Sequence, residues 1–393
     1  LGLIIIDNPT MNAFAVPGGV IGIHIGLFNY AKSEDQLASV LAHELAHLSQ
    51  RHFARGIEAK RKNASLGMGA LLVGLVIAAS GNPDAGTAVI SASQAASLES
   101  SLRYSRSNEK EADRIGFQTI RNSGRDPAAV SQMFEQMLSV RRYIGNRPPE
   151  FLLTHPITEK RISDAKNRLL RVPKKYYPTS ETYNLIRVRT MTRNNDSPTE
   201  KIKHFQHQLR NRYSDLEPIK YGLTLSLIQN GDYMEARKVI NELITDDPDQ
   251  FIFRYTSIEL DIADQHFYKA KQKIEKLLTI RPTSYPLKLL NSKVLLKENR
   301  YERAAKVLKG LSRERPYDPH LWYHLAEVSG LAGDISGVHL ARAEYFILVG
   351  AFDRAKQQFT HAAKLLRKNF KQSAIIQQRM QDLMMIEKRV SNL

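Results

Sequence analysis

The chain has 393 residues, a net charge of +17, 25% charged and 42% apolar residues, and no cysteine. This is the composition of a globular protein long enough for two or three domains with cores of their own. It excludes a disulfide framework and any thiolate metal site, so His, Glu and Asp are the metal ligands the chain can offer.

The charge is uneven, +5 over residues 1–172 and +12 over 173–393. A basic C-terminal half suggests an acidic partner or contact with an anionic membrane surface, set against the plainer reading of solvated helix faces. No aromatic RNA-binding motif, zinc knuckle or basic reading helix occurs, so nucleic acid is not an expected partner. The chain opens on Leu1 and reads as a fragment or processed form, which leaves its targeting undecided.

Strand-like runs come first, at 3–6, 12–16 and 20–25, and Pro17-Gly18-Gly19 predicts a hairpin between the last two. A helix is expected from about Glu34, with Ser33 and Gln36 forming a capping box. Leu37, Val40, Leu41, Leu45 and Leu48 give it an apolar stripe. On this helix lies "HELAHLSQRH", residues 43–52. His43 and His47 are one turn apart on one face and can converge on one Zn²⁺. An unbroken helix would carry His52 roughly 180° round from His43. His52 is therefore expected to be a surface or packing residue, with the third ligand further along.

Residues 63–98 hold one charged residue, Asp84, and 66–79 hold none. Fourteen helical residues span about 21 Å, short of the ~30 Å hydrocarbon core. A buried helical hairpin over the catalytic helices is expected there, with a lid or a membrane-touching surface as the alternative. In "SRSNEKEADRIG", residues 105–116, Glu109 and Asp113 share a helix face. Alone this could be a solvated acidic turn. Paired with H-E-x-x-H, Glu109 becomes the third ligand and Asp113 the acceptor that orients a ligating histidine. "FLLTHPITEKRI", 151–162, places His155 before a proline, in a loop between two helical stretches.

Residues 173–214 read as a basic connector with a helix from about Thr199 to Tyr213. Beyond it Ala236, Ala270 and Ala304 recur every 34 residues, as do Pro248, Pro282 and Pro316, with Tyr233, Phe267 and Tyr301 three before each alanine. That is the tetratricopeptide pattern, a stack of helix–turn–helix units. Val338 then replaces the expected alanine, and the pattern returns at Ala355 half a repeat out of phase. An extra helix or irregular pair is expected, followed by a last repeat and a capping helix near 372–391. The concave face of such an array binds an extended or helical partner.

"HELAH" followed by "NEKEAD" resembles the gluzincins related to HtpX and the CAAX prenyl protease, over roughly residues 1–172. The resemblance implies one Zn²⁺ per chain held by His43, His47 and Glu109, with Glu44 as general base and Asp113 as an orienting catalytic group. It implies that "NPTMNAFAVPGG" borders the active site, so that Asn12, Ala13, Phe14 and Ala15 pair with an extended substrate. It further implies that His155 can reach the zinc as a fourth, regulatory ligand; Arg161 belongs to the same signature without an assigned role. A zincin domain joined to tetratricopeptide repeats is similar to periplasmic proteases of Gram-negative outer-membrane quality control. That likeness implies degradation of unfolded or stalled β-barrel proteins and docking of the repeats on the barrel-assembly machinery.

The expected architecture is thus α+β and mostly helical. A zincin-type metalloprotease domain with a small sheet spans 1–172, a connector 173–214 and an α-solenoid 215–393. The rival reading is a chaperone or adaptor whose zinc site is structural or permanently closed. Glu44 beside the two histidines argues against it, since a structural site needs no base.

Overall fold

The computed structural model describes residues 1–58, 105–144, 149–193, 197–211 and 216–391. The apolar run 66–79 lies outside them. The chain divides into two compact units, one of Leu1–Lys201 with Arg212–Gly222, the other of Ile202–Asn211 with Leu223–Leu393.

The first unit opens with a three-stranded sheet. β1 (Gly2–Ile6) pairs in parallel with β3 (Val20–His24), and β2 (Ala13–Val16) pairs antiparallel with β3, leaving β2 at an edge. The β2–β3 turn is the expected hairpin. Gly18 and Gly19 take φ of 97° and 82°, a region that side chains disfavour. Phe14 faces Gly22 across the hairpin, and a Cβ at Gly22 would stand 2.5 Å from the Phe14 ring. That glycine leaves the ring a seat on the sheet.

Helices α1 (Leu27–Tyr30), α2 (Glu34–Ser49), α3 (52–58), α4 (105–122), α5 (Ala128–Ile144), α6 (Glu150–Thr154), α7 (Glu159–Leu169) and α8 (Glu181–Met191) follow. α2 starts where the cap predicts: Ser33 accepts the Gln36 N–H at 3.2 Å, and Gln36 reaches back to the Lys32 N–H at 2.7 Å. Ile21, Ile23, Leu37, Val40, Phe117, Ile120, Met133 and Phe151 belong to one core between the sheet and helices α2, α4, α5 and α6. Two contacts set α4 against α2. Arg125, just past α4, bonds Glu34 and Asp35 at 2.7 and 2.8 Å. Gly116 lies so close to α2 that an added Cβ would be 3.3 Å from the backbone nitrogen of His43. The connector, expected to hold one helix from about Thr199, also carries α8, whose Tyr183 hydroxyl donates to the Ala31 carbonyl at 2.9 Å.

The second unit is helical. The later parts of α9 (Pro198–Arg210) and α10 (Leu216–Asn230) precede α11 (Tyr233–Asp246), α12 (Phe251–Ala263), α13 (Phe267–Ile280), α14 (Tyr285–Lys297) and α15 (Tyr301–Glu314). Then come α16 (Pro319–Leu331), α17 (Ile335–Leu348), α18 (Phe352–Leu365) and α19 (Phe370–Ser391). Ala236, Ala270 and Ala304 are fully buried, as a close helix crossing requires. After 318 the array continues as two helix pairs, α16 with α17 and α18 with α19; the first is the irregular pair that the sequence allowed, and α19 covers the expected capping helix. At the first of these the sizes are exchanged: Gly330 stands one repeat after Leu296, and Val338 one repeat after Ala304. A Cβ at Gly330 would be 3.6 Å from Val338 Cγ2, so the small residue has moved to the other helix. Among the described residues no helix is long and apolar enough to cross a membrane.

Candidate metal centre and active site

His43 and His47, a turn apart on α2, bring their Nε2 atoms to 3.1 Å. Glu109 on α4 faces both, Oε2 at 3.4 Å from His43 Nε2 and Oε1 at 3.3 Å from His47 Nε2. His155, the residue that ends α6, puts Nδ1 at 3.4 Å from His43 Nε2 and 3.0 Å from Glu109 Oε1. These four side chains offer donor atoms within 4.8 Å of one another. Donors about 2.0–2.1 Å from a tetrahedral ion stand roughly 3.3 Å apart, so these spacings are the edges of a metal cage. The residues fit a metal ion.

Behind the cage stand its supports. Asp113 Oδ1 is 3.1 Å from His43 Nδ1, the nitrogen turned away from the cage. Arg161, left without a role by sequence reasoning, grips Asp113 through Nε and Nη2 at 2.8 and 2.7 Å. Its Nη1 is 2.9 Å from Glu109 Oε2 and donates to the Pro156 carbonyl, also at 2.9 Å. Its guanidinium also lies 4.9 Å from the Phe134 ring centre. Of the two readings the sequence left for His52, surface or packing, the structure takes the second. His52 is buried, with Nδ1 at 3.0 Å from His47 Nδ1 and Nε2 at 3.1 Å from Glu111. The helical extrapolation fails because α2 ends at Ser49, and Arg51, at a left-handed φ of 53°, turns the chain. His52 adds no donor to the cage.

The electrostatics follow from burial among charges. Burial opposes a charge on His43, but Asp113 and Glu109 outweigh it and raise its pKa to about 9. Glu109 is driven the other way: burial would raise it, and His155, His43 and His47 hold it well below the carboxylate range. Burial lowers His155, against Glu109, which keeps its imidazole a neutral donor. Burial also pushes Glu44 up, opposed by His43 and His47.

Glu44 is 1% exposed, and its Oε1 has no hydrogen-bond partner. It lies 3.6 Å from His155 Nε2 and takes a backbone hydrogen bond from Ala15 on the edge strand. A cleft of about 590 Å³ opens here, lined by Phe14, Ala15, Glu44, His47, Asn108 and His155. Of the four residues expected to meet substrate, Phe14 and Ala15 on β2 line it. Asn12 is buried, donating to Glu150 at 2.9 Å, and Ala13 lies in the core. Asn108, adjacent to Glu109, was missed; its buried Oδ1 is unpaired.

A buried carboxylate beside a three- or four-donor cage at the foot of a cleft defines a metalloprotease, here joined to a helical repeat array. The chain belongs to peptidase family M48, whose model matches residues 2–169. It is 31% identical to the "Beta-barrel assembly-enhancing protease" of Escherichia coli O157:H7, over 98% of this chain and 79% of that protein. A "Putative beta-barrel assembly-enhancing protease" of Vibrio cholerae is 32% identical over 99% of this chain and 80% of its own. The "Mitochondrial metalloendopeptidase OMA1" of Schizosaccharomyces pombe is 34% identical over 40% of this chain and 43% of its own.

Proposed function

We propose that the chain is a zinc metalloendopeptidase of the periplasm that degrades misassembled outer-membrane β-barrel proteins, with its repeats docking on the barrel-assembly machinery. The observation that carries the reading is Glu44, buried with a free oxygen beside four convergent donors. His43, His47 and Glu109 would hold the ion. Bound there, zinc supplies Lewis-acid chemistry that polarises a peptide carbonyl and brings the pKa of water toward about 7. Glu44 takes the proton of the attacking water and returns it to the departing amine nitrogen. The edge of β2 offers backbone groups to an extended substrate, with Ala15 tied to the base. Incubation of the zinc-loaded chain with an unfolded β-barrel protein, with and without chelator, tests the reading. Intact substrate in both sinks it.

In the metal-free chain His43 holds a proton at neutral pH, so the ion must displace it. Zn²⁺ affinity should therefore fall as pH falls below about 9, by up to roughly tenfold per unit, with a proton released to buffer. Calorimetric titration in two buffers of different ionisation enthalpy measures both. An affinity flat across that range removes His43 from the ligand set.

His155 favours a closed resting state, because its Nδ1 takes the corner a water would need. Substrate or partner binding would withdraw it. His155→Ala should raise basal proteolysis, self-cleavage included, by several-fold or more while zinc stays on three donors. An inactive variant would instead give His155 a part in the reaction. A wild-type rate would mean that His155 does not hold the site closed.

For docking, the repeats present a groove of about 770 Å³ along α15, α16, α17 and α19. Lys306, Lys309 and Arg313 form a cationic stripe on α15, spaced to share one face, above Leu325, Ala341 and Ile376. Reversing the three charges to Glu should weaken capture of purified barrel-assembly machinery by roughly tenfold or more at low salt. Capture at the wild-type level would move recognition elsewhere.

A further inference from the structure

His47 Nδ1, the nitrogen facing away from the cage, meets His52 Nδ1 at 3.0 Å, with the rings nearly perpendicular at 82°. Two identical ring nitrogens at that distance share one proton, and either ring can carry it. The far side of His52 decides which. Its Nε2 stands 3.1 Å from Glu111 Oε2, an oxygen also held by Arg55 Nη1 at 3.0 Å. A carboxylate accepts and cannot donate, so His52 must carry its proton on Nε2. Its Nδ1 is then a lone pair, which accepts from His47 Nδ1–H. That leaves the lone pair of His47 on Nε2, the atom aimed into the cage.

We propose that His52 and Glu111 are positioning residues that set the tautomer and ring angle of His47, so that the metal meets its Nε2 unprotonated. The inference rests on reading His47 as a metal ligand. The direction of every hydrogen bond in the row follows from the one group that can only accept. The arrangement depends on the turn at Arg51, which folds His52 back beside α2 and buries it at 5% exposure. It also depends on α4, which carries Glu111 two residues beyond Glu109. One helix thereby supplies a cage donor and the anchor of the row that aims another. Partners of this kind are worth roughly 10–100-fold in metal affinity.

The test is Zn²⁺ affinity, measured by chelator competition on the full chain. His52→Leu fills the space but offers no acceptor, and should bind Zn²⁺ roughly 10–100-fold more weakly. His52→Asn places an amide oxygen near the lost Nδ1 and should recover most of that loss, which a merely space-filling role would not predict. Wild-type affinity in the Leu variant, or an Asn variant no better than Leu, overturns the proposal. His47→Ala separates the layers. If it weakens binding while His52→Leu does not, the positioning role fails and the ligand reading stands; if it changes nothing, the ligand reading itself fails. Should His52→Leu not fold, nitrogen-15 spectra of the zinc-loaded wild type settle the tautomers. A proton on His52 Nε2 and His47 Nδ1 is expected, and one on His52 Nδ1 overturns the proposal.

Discussion

Glu44→Gln should stop peptide cleavage while the metal stays bound. Glu44 lies between the two histidines in sequence, yet on the helix its side chain leaves their face, so it gives no atom to the cage. Its task needs a basic oxygen in a dry place, and 1% exposure with an unpaired Oε1 supplies both. Burial raises its pKa, which strengthens it as a proton acceptor at neutral pH, while His43 and His47 limit the rise. Glutamine keeps the shape and can still accept the Ala15 N–H, so the edge strand is not released. It cannot take a proton from water. Loss of a general base costs ~10²–10⁴ in rate, and more where base and metal act as a unit. Single-turnover cleavage of an unfolded substrate, with metal content measured on the same sample, is the check. Wild-type cleavage by a metal-loaded, contaminant-free variant would take the base away from Glu44.

What was legible in the sequence was local. H-E-x-x-H, the Ser33 cap and the 34-residue period all lie within a helix or a repeat, where 100° per residue or a fixed spacing does the geometry. The Glu109/Asp113 pair could be read the same way, once a helix was assumed. What stayed hidden depends on where one element meets another. Arg161 finds its carboxylates 48 and 52 residues back along the chain, and nothing in "TEKRI" points to them. His52 was lost to one backbone angle at Arg51, since neither glycine nor proline marks the end of α2. The exchange of sizes at Gly330 and Val338 hides from any search for a recurring alanine. The misses at Arg161 and at Gly330 lie where elements meet, and such meetings are set by packing.

Arg161→Met should destabilise the protease unit by about 3–5 kcal/mol, the cost of breaking a buried ion pair from one side. Arg161 is 7% exposed and serves two carboxylates at once, Asp113 with two bonds and Glu109 with one contact. Methionine fills much of the volume and keeps the packing against Phe134, so the loss is chiefly electrostatic. The sign follows from the carboxylates. Asp113 and Glu109 are both held below their ordinary pKa, so they contribute stability at neutral pH that is lost as pH falls through the folded values. Without Arg161 both rise, and the variant should lose its stability at a higher pH than wild type. Zinc is expected to offset part of the defect, because an ion on Glu109 replaces one of the lost positive neighbours and stabilises only the folded state. In thermal scans the first unit of the metal-free variant should melt on the order of 10 °C lower, and zinc should raise it by more than it raises wild type. Equal zinc shifts in the two proteins would mean that Arg161 and the ion do not share Glu109. An unchanged midpoint in the metal-free variant would mean that the buried carboxylates find other partners, and the clamp would lose its claim on the site.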